Sequence, residues 1–193
     1  MPPEHPVDAR DVPTRRRRSL RPIVAGLGVV LGLSGCGSSP PGLLTGPDIP
    51  GSLGVKANAA AAATEARQES PSPHCKRSGV AVFSVPGQAV PVESILTSAR
   101  STWIVSVEMS CTSASAAHVA LESEAKIEGG HPVAGIADEA QILDLSSAGE
   151  RAYIVAWRAD DTLGALLVVG PKHDTRIDAR LAQLLARRAA ARS

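Results

Sequence analysis

Residues 15–18 are four consecutive arginines, Arg21 follows, and from Pro22 to Gly35 the chain (PIVAGLGVVLGLSG) carries no charge. A basic run, a short apolar run and then small residues is the order of a secretory signal peptide. The apolar stretch is too short to cross a hydrocarbon layer of ~30 Å, which takes about 20 such residues in a helix. Arginines retained at the cytoplasmic side fix its direction. Gly26, Gly28 and Gly32 fall inside this stretch, with no strand before them and no acidic ribose ligand placed after, so their likeness to a nucleotide loop is spurious. Residues 1–35 are therefore set aside as a cleaved signal segment. What remains must build its own core, and its size allows one domain and hardly two.

Leu33-Ser34-Gly35-Cys36 resembles the lipobox of bacterial lipoproteins: a branched residue, two small residues, then cysteine. The resemblance implies that the Cys36 thiol takes a diacylglycerol through a thioether, that the chain is cut before Cys36, and that the new amino group is often acylated as well. Two or three chains meet the two-signal requirement for stable anchoring, at about 0.8 kcal/mol for each buried methylene. Arg17-Arg18-Ser19-Leu20 also resembles a twin-arginine signal, so the export route stays open between the two systems.

Without residues 1–35 the chain holds 14 basic and 16 acidic side chains, and the whole chain has four aromatic residues, Phe83, Trp103, Tyr153 and Trp157. That body lacks the positive field and the stacking surfaces that nucleic-acid binding uses. Gly37-Ser38-Ser39-Pro40-Pro41-Gly42 reads as a spacer. Residues 43–78 show little pattern. Ala59–Ala63 is either one or two helical turns or an alanine bias, and Ser70-Pro71-Ser72-Pro73 is a turn signal. The boundaries that follow are 1–35 for the signal, 36–78 for the lipidated cysteine, tether and irregular segment, and 79–193 for a compact domain.

Val80–Val85, ended by Pro86-Gly87, reads as a strand. Trp103, Val105, Val107 and Met109 alternate with Ile104, Ser106 and Glu108, the period of a strand with one buried face. Residues 114–125 place Ala117, Leu121 and Ala125 at helical spacing. Gln141–Leu145 is a candidate strand and Ser146–Glu150 a turn. Tyr153–Trp157 and Leu163–Val169 flank Ala159-Asp160-Asp161-Thr162, a hairpin whose two aspartates are turn residues. Ile177, Leu181, Leu184 and Leu185 form one helical stripe, with Asp174 or Thr175 as its cap and Asp178 near the positive end of the helix dipole. The expected class is α+β: a single domain with an antiparallel sheet and two main helices packed on one face.

Removing Cys36 to the lipid leaves Cys75 and Cys111, and in an oxidising compartment a leftover pair is most simply a disulfide. Cys75 precedes one predicted strand and Cys111 follows the next. Antiparallel neighbours would bring them within the roughly 4.4–6.8 Å between Cα atoms that a bridge spans.

Residues 132–140 (PVAGIADEA), the hairpin after them and the final helix resemble the C-terminal half of a family of actinobacterial lipoproteins. That domain is related in pattern to the extracellular sensor domains of some bacterial serine/threonine kinases. The usual signature is pro-x-x-gly-x-gly-asp-glu-ala, and Ala137 stands here where the second glycine is usual. The likeness spans roughly residues 72–192. It implies an extracytoplasmic α+β sensor or binding module with a structural disulfide, and it supplies no ligand.

The mature chain has no nucleophile-elbow pentapeptide, no phosphate-loop lysine and no paired-histidine zinc helix. His74, His118, His131 and His173 are scattered. His118 and Glu122 stand one helical turn apart, too few ligands for a metal site. Asp138 and Glu139 are the candidate ligand-binding pair, although adjacent residues of an extended segment point to opposite faces and make no general acid/base couple. Caps or backbone hydrogen bonds suit them as well. Trp103 and Trp157 read as core. The expectation is a non-catalytic binding or sensing module without cofactor or metal, anchored by lipid to the outer face of the membrane. It would contact a small ligand, a cell-wall fragment or another envelope protein, and no nucleic acid. A structural or accessory subunit of an envelope complex is the alternative, and a hydrolase with an unrecognised site a further one. An apolar pocket with a few convergent polar groups would favour the first, a large exposed apolar patch the second, and a serine or histidine of perturbed pKa beside an acid in a cleft, around His118 or His131, the third.

Overall fold

The computed structural model describes residues 42–67, 72–86 and 101–192. The signal segment 1–35, Cys36 and residues 37–41 of the spacer lie outside the described residues.

Among the described residues seven strands form one sheet: β1 (Lys56–Ala57), β2 (Cys75–Ser84), β3 (Trp103–Cys111), β4 (His131–Pro132), β5 (Glu139–Asp144), β6 (Glu150–Ala159) and β7 (Thr162–Pro171). Their order is β1-β2-β3-β7-β6-β5-β4, and every neighbouring pair is antiparallel. Among the described residues three helices accompany these strands, α1 (Ala59–Glu65), α2 (Ala114–Glu128) and α3 (Ala179–Ala190). The class is α+β. Among the described residues no helix is long and apolar enough to cross a membrane.

The hairpin of β6 and β7 turns at Asp160 and Asp161, with Ala159 paired to Thr162. Asp160 takes a left-handed φ of 50°, which aspartate tolerates better than most residues. The tip is held from outside, because the Cys111 backbone N–H donates to the Asp161 carbonyl at 2.8 Å.

The expected placement of both main helices on one face is corrected by the burial pattern. Val155, Trp157, Leu166 and Val168 share a core with Ile177, Ala182 and Leu185 of the α3 region. Ala156 and Leu163, of opposite strand parity, pack instead with Ala117, Ala120 and Leu121 of α2. Since alternate strand residues point to opposite faces, α2 and α3 lie on opposite sides of the sheet. Residues Ala61, Val82, Trp103 and Val105 make a third cluster where α1 meets the α2 face. For the same reason β3 does not keep one face open. Ile104 and Ser106 are fully buried and Glu108 is 7% exposed, because the N-terminal segment covers that side.

That segment carries more structure than its lack of periodicity suggested. Leu43, Leu44, Ile49 and Leu53 are buried, held in single 3-10 turns at Gly46–Asp48 and Gly51–Leu53. The Leu44 N–H donates to Ser106 Oγ at 3.4 Å. The alanine run is helical, and Asn58 caps it by accepting from the Ala61 N–H at 3.0 Å.

Cys75 and Cys111 face each other in register across β2 and β3 and are joined by a disulfide. Closing a loop of 36 residues stabilises the fold by about 4 kcal/mol in the chain-entropy account. Just beyond, Ser78 is the extra residue of a bulge between Arg77 and Gly79. Its hydroxyl donates to Glu108 Oε1 at 3.0 Å.

Two details of α3 differ from expectation. Its cap is Asp178, which accepts from the Leu181 N–H at 2.7 Å, while Asp174 receives the Arg176 backbone and side chain. Leu184, expected in the apolar stripe, is 39% exposed, and Ala182, Ala186 and Ala189 complete the buried face with Leu185.

Candidate functional site

A concavity lies between α2 and the sheet face beneath it. Ser113 starts the helix, its Oγ accepting from the Ala116 N–H at 3.1 Å. Ala117 and Leu121 then seat α2 beside the disulfide and β7. Along one flank α2 carries the short side chains of Ala116, Ala120 and Ser123, which leave space between helix and strands. Beneath that flank the sheet also presents short side chains at Ala156 and Ala165. The volume not filled is a pocket of about 770 Å³, walled by Met109, Leu143, Ile154 and Leu163, with Val119 also lining it. Val119 is 63% exposed. Most of the polar groups lie at one end, where His74, Thr112, Ser113 and Ser115 stand near the start of α2, with Ser123 further along the helix. That end is fixed by the disulfide and by the Thr112 N–H, which donates to the His74 carbonyl at 2.9 Å. Such a cavity can take an apolar body and orient it by one polar end.

The far flank of α2 is held by charge. His118 Nδ1 lies 2.7 Å from Glu139 Oε2, and an Arg158 guanidinium nitrogen lies 2.9 Å from Glu139 Oε1. Arg158 also reaches Asp138 Oδ2 at 3.3 Å and donates to the Asp160 carbonyl at 3.2 Å. Asp138 accepts in turn from the Asp160 N–H at 2.9 Å. One arginine thus gathers α2, the start of β5 and the hairpin tip. The hydrogen bond from His118, together with the bonded and charged Arg158, holds the Glu139 carboxyl below the usual carboxylate range.

The expectation that Asp138 and Glu139 point apart is corrected here. Asp138 precedes the strand, in a bend where Ala137 has a φ of 48° and Gly135 of 76°. The alternation of a pleated strand does not yet apply, and both carboxylates turn to Arg158. Asp138 also accepts a backbone bond, from the Asp160 N–H, whereas the partners of the Glu139 carboxylate are the His118 and Arg158 side chains. His118 meets Glu139 across the layers. Trp103 and Trp157 are buried, at 6% and 0% exposure. Among the described residues no three His, Cys, Asp or Glu side chains are arranged to hold a metal ion. Sequence reasoning missed the pocket walls and Arg158. A usable signal existed in the run of small residues on one flank of a helix whose opposite flank is charged.

No family model matches the sequence, and no curated protein matches it. Among solved structures the chain is similar to the extracellular domain of PknH from Mycobacterium tuberculosis, at 11% identity and a TM-score of 0.40. The match covers 60% of this chain and 63% of that one, less than two thirds of its length.

Proposed function

We propose that this chain is a lipid-anchored, extracytoplasmic binding module that takes an apolar ligand in the pocket between α2 and the sheet. The observation that carries this reading is the pocket. Its volume of about 770 Å³ falls within the roughly 300–1,000 Å³ of ligand sites, and its walls are mainly apolar with polar groups mostly at one end. The arginine run, the uncharged stretch and the position of Cys36 support export and acylation. A disulfide suits an oxidising compartment. The membrane is then a partner through the anchor, and a cell-wall fragment or envelope lipid is the kind of ligand such a place supplies.

The His118–Glu139 pair is the feature that favours the hydrolase alternative. In such a pair the histidine is the base and the ionised acid orients it, so a depressed Glu139 does not decide the matter. Placement does: His118 is not among the residues lining the pocket, and Arg158 ties Glu139 to Asp138 and the hairpin tip. The arrangement fits a clamp that positions α2. The alternative of an accessory subunit would gain from a broad apolar patch. The exposed large hydrophobic residues among those described are Val119 and Leu184, on opposite sides of the molecule.

The test is to purify the full chain from its native membrane, extract it with organic solvent and analyse the extract by mass spectrometry. An apolar small molecule should accompany the wild type and be lost from Ala165→Phe and Ala116→Phe, which fill the pocket from its floor and its helix. Equal recovery from all three proteins, or none from the wild type, would contradict the reading.

A further inference from the structure

The outer side of α3 carries a second pattern. Arg180, Leu184, Arg187 and Arg188 follow the i, i+4, i+7, i+8 spacing of one helical stripe, and all four are exposed. Arg192 lies just beyond, and α3 itself contains no acidic residue. The helix dipole favours arginine at the C-terminal end, yet Arg180 stands in the first turn, where the dipole opposes it. Helix energetics alone therefore does not account for the stripe.

The N-terminal segment is attached on this same side. Leu44, Ile49 and Leu53 share the α3 core. Asp48 pairs with Arg192 at 2.8 Å, and its carbonyl accepts from Arg188. The described chain begins at Gly42, six positions after Cys36. Six residues reach about 20 Å at full extension. With the first leucines locked into the core, an acyl chain on Cys36 cannot be held further than that from the α3 side.

We infer that the exposed face of α3 is a docking surface for anionic phospholipid headgroups, resting on the reading of Cys36 as the acylated residue. Arginines near an anionic leaflet are attracted to it, and a protruding leucine at their centre can enter the interface. Because α2 lies on the opposite face of the sheet, its pocket then opens away from the bilayer. The ligand arrives from the envelope side.

The test uses the full chain, processed and purified from membranes, in vesicles of phosphatidylglycerol and phosphatidylcholine with brominated acyl chains. Leu184→Trp and Ala114→Trp each add one indole at an exposed position to the two buried ones, Ala114 standing at the start of α2 and outside the pocket lining. The indole at 184 should lose most of its emission to the bromines and the one at 114 should keep it. Adding Arg180→Gln, Arg187→Gln and Arg188→Gln, or salt of about 1 M with its screening length of about 3 Å, should restore emission at 184 while the protein still floats with the vesicles. Equal quenching at both positions, or undiminished quenching at 184 in pure phosphatidylcholine, would overturn the docking face and leave the anchor standing. A chain with unmodified Cys36 that stays in solution would overturn both.

Discussion

The indole of Trp157 on β6 lies directly over Gly164, its partner on β7, and a Cβ at Gly164 would fall inside the ring. Gly164 is the hole that a large core residue fills in a chain with few aromatics. Gly164→Ala should destabilise the protein by about 2–4 kcal/mol in denaturant unfolding, as overpacking without room to yield. Trp157→Phe vacates that space, and the Trp157 Nε1 has no hydrogen-bond partner among the described residues, so no polar bond is lost with it. In the double variant the cost of Gly164→Ala should shrink, a coupling that a double-mutant cycle measures.

The hairpin of β6 and β7 was legible in the sequence because Asp160-Asp161 interrupts two apolar runs and tolerates the turn. The Cys75–Cys111 bridge was legible because setting Cys36 aside leaves one pair, at the start of one strand and the end of its antiparallel neighbour. Leu44, Ile49 and Leu53 were not, since single turns give apolar residues no period to detect. Nor was the side on which α3 packs. A strand buried on both faces, such as β7, offers each helix the same invitation. The pocket was hidden for a different reason: it is made of volume that Ala116, Ala120, Ala156 and Ala165 do not occupy, and short side chains read as ordinary core.

Ala137 holds a left-handed backbone at 48°, where a β-carbon is disfavoured by roughly 1–2 kcal/mol. Ala137→Gly should raise stability by about 0.5–1 kcal/mol, the unfolded-state entropy of glycine offsetting part of the relief. Thermal unfolding of the pair checks this, with a lower midpoint in the variant counting against it.

Glu139 has a depressed folded-state pKa through His118 and Arg158. Its contribution is therefore present above the unfolded value of about 4.3 and is lost as pH falls through the lower folded value. Glu139→Gln should cost about 0.5–1 kcal/mol at neutral pH, as expected of a half-exposed pair. The two unfolding midpoints should converge below about pH 4. A constant gap across that window would show that the carboxylate charge is not what clamps α2.

Glu108 behaves with the opposite sign. Burial pushes its carboxyl up, only partly offset by the Ser78 hydroxyl, and Oε2 has no partner among the described residues. The charged form is penalised in the folded state, so the wild type gains stability as pH falls through the raised value towards the unfolded one. Glu108→Gln should be more stable by about 1 kcal/mol at neutral pH, a buried amide costing less than a buried charge. That advantage should vanish on acidification.

The intact mass of the chain extracted from its native membrane tests the anchored, disulfide-closed domain most directly. The account predicts a polypeptide that begins at Cys36, carries the mass of a diacylglyceryl group with or without a further acyl chain, and gains two hydrogens on reduction. A soluble product that still begins at Met1, with no acyl mass and with Cys75 and Cys111 open to alkylation before reduction, would contradict it.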